Sequence, residues 1–429
     1  MTIVPLIQQI VKNRFGTYFN GIESFYLKNF LILIQGLLSK DHTSISAIAS
    51  DEHYHVAHTT LTRFLQSHEG FWSALKSIVL SLFKRDIEEP LEELNRYSRV
   101  LIIDDTLVTR RGKKIPFASK QYDHCENRLT HGQVILTVGE IEVEEHNFNR
   151  TFQPLDMLFA KSSEVEHGSN DSKIDMAVSW LKRNQVRRAV VIADSWYTNA
   201  PLIESCKQWF DSDFIGQLKS NVILRVDGQA IKAWKLLSAS TMIRSIKLGG
   251  KTIHYHSYLA HVLSIRIPVK IVATELVRYV LGTCGDFPQV GFPQDHSRAI
   301  PTSTDMRLSS EMIIRYYSLR WSIEAFFKFA KQNLSLSKCQ IRSEQAQKHD
   351  MILVSIAYLI FNDLMEMIQT NQKNVPHHRI FYTLRVAVSI LALTFIYRVS
   401  MGISQIIIPE NLYSKLLQLL LHSLLLIRT

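Results

Sequence analysis

Arg99-Val-Leu-Ile-Ile-Asp104-Asp105-Thr106 is a short apolar run, rich in β-branched residues, that closes on two acids. Such a run reads as a buried strand. A second run of the same form, Arg188-Ala-Val-Val-Ile-Ala-Asp194-Ser-Trp196-Tyr197, follows an amphipathic helix at Asp175 to Arg183. Carboxylates at the carboxyl ends of parallel strands sit in the crevice where α/β sheets hold ligands. Two of them can bind a hard divalent cation through oxygen. Asp also ends strands simply because it favours turns. Two acids on matched strands set the ligand reading level with that simpler one.

Working outward, Gln133-Val-Ile-Leu-Thr-Val, Thr151 to Phe159 and Phe214-Ile-Gly-Gln-Leu read as further strands. Residues 221–300 change texture. Alternating stretches such as Lys251 to Leu259 and Ile265 to Ala273 predict antiparallel strands, with Gly249-Gly250 and Gly282-Thr-Cys-Gly285 as turns. Before the core, residues 1–95 carry apolar residues at helical spacing in Phe25–Leu38 and Leu61–Phe83, with short capped helices predicted after Asp41 and from Thr59 to Leu65. The two short helices admit a helix-turn-helix reader or a plain helical bundle, and the bundle is favoured because this region's net charge is −2. Glu88-Glu89-Pro90-Leu-Glu-Glu is an acidic joint to the core. From Ser309 the chain reads as helical almost to its end.

The chain has 429 residues and a net charge of +10, so everything beyond residue 95 carries +12. A polyanion-binding surface is expected there. Four cysteines at 125, 206, 284 and 339 form no C-x-x-C pair, which argues against structural zinc and a disulfide framework and fits a reducing compartment. The N-terminus has no secretory pattern. The apolar stretch Val386 to Tyr397 is shorter than the ~20 residues a membrane span needs.

Tyr317-Ser-Leu-Arg320-Trp-Ser-Ile-Glu324-Ala-Phe-Phe-Lys-Phe-Ala-Lys331 is a strong helical pattern. At ~100° per residue, Tyr317, Arg320, Glu324 and Lys331 fall within a ~60° sector of one face. Ile313, Ile314, Leu319 and Phe326 supply core contacts elsewhere. Y-x2-R-x3-E-x6-K resembles the signature of bacterial insertion-sequence DDE transposases. Asp104-x-Thr106 and Asp194 resemble the other two acids of that catalytic triad. The gap of 130 residues between Asp194 and Glu324 suits the β-rich insertion that members of this family carry there.

The resemblance implies an α/β fold: a ribonuclease-H-like mixed-sheet core over residues 96–345, with a β-rich insertion at about 221–300. A helical region at 1–95 is the candidate for DNA-end binding, and one at 346–429 the candidate for dimerisation. It implies metal-dependent cleavage and strand transfer at insertion-sequence ends, with Asp104, Asp194 and Glu324 holding two Mg²⁺ or Mn²⁺ ions ~3.5–4 Å apart. Asp105 is the alternative to Asp104, since adjacent residues in a strand face opposite sides. Arg320 and Lys331 would hold phosphates and Tyr317 would hydrogen-bond one, although both cations could equally pair with acids of the protein. The basic loop Arg110, Arg111, Lys113, Lys114 would grip the DNA backbone. The implied partners are double-stranded DNA, as terminal inverted repeats and target, and a second copy of the chain. The implied setting is the bacterial cytoplasm and nucleoid, with no membrane. A metal-dependent nuclease, an inactive relative and a non-enzymatic DNA-binding regulator are the rival readings. Trp196 and Trp234 are candidates for stacking on a base, whereas His124, His131 and His167 lack metal-ligand spacing and read as structural.

Overall fold

In a computed structural model, the residues described are 23–39, 44–50, 54–83, 99–123, 126–142, 152–160, 172–238, 244–248, 251–274 and 300–371. The acidic joint, both predicted glycine turns, His124, His167, Cys125, Cys284 and the 386–397 stretch lie outside them. Among the described residues, no helix is long and apolar enough to cross a membrane.

The chain opens with helices α1 (Ser24–Ser39), α2 (Ile45–Ala49), α3 (His58–Gln66) and α4 (Glu69–Phe83). The Leu61–Phe83 run is therefore two helices rather than one, divided at His68, which takes a left-handed φ of 64°. Ser44 caps α2 by accepting a hydrogen bond from the Ala47 amide. Strand β1 (Arg99–Thr109) then enters the sheet, followed by β2 (Ser119–Asp123), β3 (Arg128–Glu142) and β4 (Phe152–Phe159). Helix α5 (Lys173–Arg183) starts with a reciprocal capping box between Ser172 and Asp175. It leads to β5 (Val190–Ala193), α6 (Ala200–Phe210) and β6 (Asp213–Gln217).

The core order is β4-β3-β1-β5-β6. β3 runs antiparallel to β1 and β4, while β1, β5 and β6 are parallel. This is a ribonuclease-H-like mixed sheet. β1 does not stop at its acids: it continues six residues beyond the last pairing with β5, Ile103 with Ala193, to Thr109. The expectation that Asp104 ends its strand is thus wrong, because β3 goes on pairing with β1 up to Thr109–Gly132. Asp194, by contrast, does follow the end of β5.

The predicted antiparallel region contains β7 (Ile223–Val226), β8 (Gln229–Lys232), α7 (Ala233–Ser238), β9 (Arg244–Leu248), β10 (Lys251–Val262) and β11 (Pro268–Thr274). It is not a separate layer. Strand β12 (Pro301–Ser303) pairs with β6 on one side and β11 on the other, so core and insertion share one sheet. Helices α8 (Ser310–Ser318), α9 (Trp321–Asn333) and α10 (Glu344–Asn371) complete the described chain.

Strand alternation sorts the buried side chains into two cores. Val100, Ile102, Val190 and Ile192 pack with α8, α9, α10 and the N-terminal helices. Leu101, Ile103, Val191 and Ala193 face α5 and α6, through Trp180, Leu181, Leu202 and Ile203. The N-terminal helices dock on α10. The His349 ring stacks on Trp72 at 5.0 Å, Nδ1 lies 2.8 Å from the Leu65 carbonyl oxygen, and Nε2 lies 3.0 Å from Glu69.

Candidate active site

Alternation decides where the two adjacent acids go. Asp104 continues the face of Val100 and Ile102, toward α8 and α9; Asp105 continues the face of Leu101 and Ile103, toward α5 and α6. On that second face Asp105 Oδ1 accepts hydrogen bonds from Tyr197 Oη and Lys173 Nζ, each at 2.7 Å. Burial, with Asp105 second, holds the Tyr197 hydroxyl well above its ordinary range, so it stays a donor.

On the first face Arg320 Nη1 lies 3.3 Å from Asp104 Oδ2 and 2.6 Å from Glu324 Oε1. Two carboxylates from opposite ends of the core domain therefore meet at one nitrogen, within about 6 Å of each other. Burial pushes the Asp104 carboxyl up to about 8 against the pull of Arg320, and Asp194, Asp105 and Glu324 add to the rise. Burial also raises Glu324, opposed by Arg320 and assisted by Asp194. Asp104 and Glu324 thus both feel the charge of Asp194. Burial disfavours the Arg320 cation, but Tyr317, Glu324 and Asp104 outweigh it and hold the guanidinium protonated. Its plane lies 4.7 Å from the Trp321 ring centroid, and its Nε is buried with no hydrogen-bond partner.

Asp194 is oriented by its own turn. Its Oδ1 accepts from the Trp196 and Tyr197 amides at 2.8 and 3.2 Å, and Thr198 Oγ1 donates to its carbonyl at 2.8 Å. Gly216 on the adjoining β6 is required here: a Cβ on it would overlap Thr198 Oγ1 and the Phe214 ring.

The helical motif is two helices, not one. Amides of Leu319 and Arg320 bond three residues back, to Tyr316 and Tyr317, and so do those of Ser322 and Ile323, to Leu319 and Arg320. This tighter winding separates α8 from α9 and makes Arg320 the residue that precedes α9. Tyr317 is 2% exposed and donates its hydroxyl to Gln217 Oε1 at 2.7 Å, so it faces the β6 end rather than a DNA backbone. Arg320 pairs with the protein's own acids. Lys331 is half-buried two turns further along α9.

Arg110 also departs from expectation. It is 4% exposed; its guanidinium donates to Gln133 Oε1 at 2.6 Å and to the Cys339 carbonyl at 3.0 Å, tying the end of β1 to the segment after α9. Five donors on one planar group suit that bracing role, and burial leaves none for phosphate. Arg111, Lys113 and Lys114 are exposed. They follow the end of β1 at Thr109, which is itself five residues, ~17 Å of extended strand, past Asp104. The half-exposed His131 has a buried Nε2 without a partner. Trp196 and Trp234 are 40% and 45% exposed, and Lys173 Nζ sits 4.0 Å from the Trp196 ring centroid.

Among the described residues, no three Asp, Glu, His or Cys side chains stand at separations that already suit one metal ion. The donor set nevertheless fits a hard divalent cation. It consists of carboxylates, two of them, Asp104 and Glu324, raised by burial and by the Asp194 charge, which a dication would relieve. Arg320 supplies the positive charge between Asp104 and Glu324. Lys173, Tyr197 and Gln217 were not legible as site neighbours, because each acts only through contacts across the sheet.

Over residues 96–360 the chain matches the family described as the transposase DDE domain. No curated protein matches it. Among solved structures it is similar to a cryo-EM structure of a piggyBac transposase synaptic complex with hairpin DNA. That likeness has 13% sequence identity and a TM-score of 0.45, and it covers 92% of this chain and 76% of that one.

Proposed function

Because the chain belongs to the transposase DDE-domain family, we propose that Asp104, Asp194 and Glu324 are the carboxylates with which it cuts and joins DNA at the ends of an insertion sequence. The observation that carries this is the meeting of Asp104 and Glu324 at Arg320 Nη1, on the sheet face and strand end where Asp194 also acts electrostatically. The three side chains would hold divalent cations, which the family generally uses; two Mg²⁺ or Mn²⁺ ions are the complement we propose. Held by these three carboxylates, such ions would supply Lewis-acid activation of a water or 3′-hydroxyl and charge stabilisation for the leaving oxygen.

The remaining work falls to this chain's own groups. Asp104 is preferred to Asp105 for that role because Tyr197 and Lys173 bond Asp105 on the other face, which supports a bracing task for it. That task is to pin β1 so that Asp104 faces the helices. The Asp194 turn, fixed by the Trp196 and Tyr197 amides, aims its second oxygen without a search through rotamers. Lys331 continues away from Glu324 along α9, and the exposed Arg111, Lys113 and Lys114 lie beyond it, past the Arg110 brace. A DNA backbone leaving the carboxylates along this line meets cations at each step. Two ends must be held together, so the working unit is proposed to be a homodimer on DNA.

The test is Asp194→Asn in the full chain, assayed on a labelled element end with Mg²⁺ or Mn²⁺. Loss of cleavage and strand joining with end binding kept is the expected result. Equal loss of binding and cleavage makes Asp194 structural. Cleavage without joining in the wild-type protein identifies a nuclease.

A further inference from the structure

The sheet face opposite Arg320 carries a second basic surface that the carboxylate site does not use. Lys182 and Arg183 end α5, and Arg187 and Arg188 precede β5; all four are exposed. No ion pair engages any of them among the described residues. Trp209, in the last turn of α6, projects beside them. It is 60% exposed, and Lys182 Nζ lies 5.9 Å from its ring centroid. Lys182, Gln185, Val186, Arg187, Trp209 and Phe210 line a shallow cavity of about 350 Å³.

Two features make this more than solvated charge. A Trp left mostly in water gives up apolar burial that Phe210, next to it, obtains in the core at 5% exposure. Gln185 and Arg188 both take left-handed backbone conformations, φ 51° and 52°, in the turn that presents the cations. An exposed aromatic ring among unpaired cations is the pattern of surfaces on which bases stack while phosphates are neutralised.

The geometry points to a single-stranded DNA site: Lys182, Arg187 and Arg188 take phosphates and the Trp209 ring stacks on a base. This rests on the DNA-processing reading above and adds a second place where DNA is held. Arg188 and Asp194 bracket β5, six residues apart, so the surface lies ~20 Å from the carboxylates at the other end of the strand. It also belongs to the α5–α6 face, whereas Glu324 belongs to the α8–α9 face. One strand passing the carboxylates does not reach both places in a straight line, so a different segment of DNA occupies this one. Asp211, in the turn after α6, leaves the patch net positive.

The experiment uses the full-length protein, a labelled single strand of about 20 nucleotides and its duplex, with affinity measured at several salt concentrations. Trp209→Ala should weaken single-strand binding about tenfold with an unchanged salt slope, because stacking releases no counterions. Trp209→Phe should restore most of the loss. The triple variant Lys182→Ala, Arg187→Ala, Arg188→Ala should lower the single-strand slope by ~0.7 for each phosphate it no longer neutralises. Thermal unfolding checks that both variants are folded; the side chains are exposed, so stability should hold. Single-strand affinity and slope unchanged in both variants overturn the site. A triple variant that loses only duplex binding, with Trp209→Ala silent, also overturns it and leaves a plain electrostatic patch. Wild-type protein that binds neither DNA overturns this inference together with the proposed function. Wild-type cleavage of an element end alongside silent patch variants overturns this inference alone.

Discussion

Asp104 and Asp105 are neighbours in β1 and serve opposite faces of one sheet: Asp104 meets Arg320, while Asp105 meets Tyr197 and Lys173. Their roles therefore separate cleanly. Asp104→Asn should abolish DNA cleavage, and Asp105→Asn should retain a measurable share of it while lowering stability. A hydrogen bond that involves a charged group contributes ~1.5–3 kcal/mol, and the Asp105 carboxylate accepts two, from the Lys173 ammonium and the neutral Tyr197 hydroxyl. Cleavage that survives Asp104→Asn and not Asp105→Asn would reverse the assignment.

Arg320 is the counter-charge that Asp104 and Glu324 share. Arg320→Ala should lower the melting temperature by several degrees near neutral pH, since breaking a buried pair costs more than the pair is worth. Glu324 is partly exposed and contributes less to that loss than Asp104 does. Mn²⁺ should then raise the melting temperature of the variant more than that of the wild type, by replacing the lost charge. A variant indifferent to Mn²⁺ would show that these carboxylates do not gather a dication.

Asp350 lies buried near Arg110 and Cys339, and burial pushes its carboxyl from 3.8 up to about 7 despite Arg110 and the Cys339 hydrogen bond. The folded state binds this proton more tightly than the unfolded chain. The associated stability is complete below pH ~4 and is lost as pH rises through about 7. Asp350→Asn should remove this component, worth on the order of 3 kcal/mol. Denaturant unfolding of both proteins at pH 4.5 and 8 measures it. An unchanged difference between the two pH values would mean that Asp350 stays charged when folded.

The basic residues should divide by burial. Lys331→Ala and the pair Lys113→Ala, Lys114→Ala should each flatten the salt dependence of duplex binding, by ~0.9 in log–log slope per phosphate released. Arg110→Ala should leave that slope unchanged in the folded fraction and destabilise the fold instead, because its partners are Gln133 and carbonyls beyond α9. A slope change in Arg110→Ala with stability kept would return Arg110 to the DNA surface.

The strands at Arg99 and Arg188, the amphipathic helix before the second, the alternating stretches after 250 and the helices after Ser309 were all legible in the sequence. Their signals are local: β-branched runs, period-two alternation and period-3.6 spacing survive without knowledge of the partner. Asp194 and Glu324 stood out for the same reason, each fixed by a short motif. What could not be read was every property set by a neighbour distant in sequence. The length of β1 beyond Asp104 depends on β3 continuing to pair with it. The burial of Arg110 and Tyr317 depends on Gln133, Cys339 and Gln217. The choice between Asp104 and Asp105 depends on which face the helices cover. Sequence determined which elements form and which residues carry charge. The tertiary structure decided which charges meet, because desolvation and ion pairing depend on distances across the sheet that no local pattern encodes.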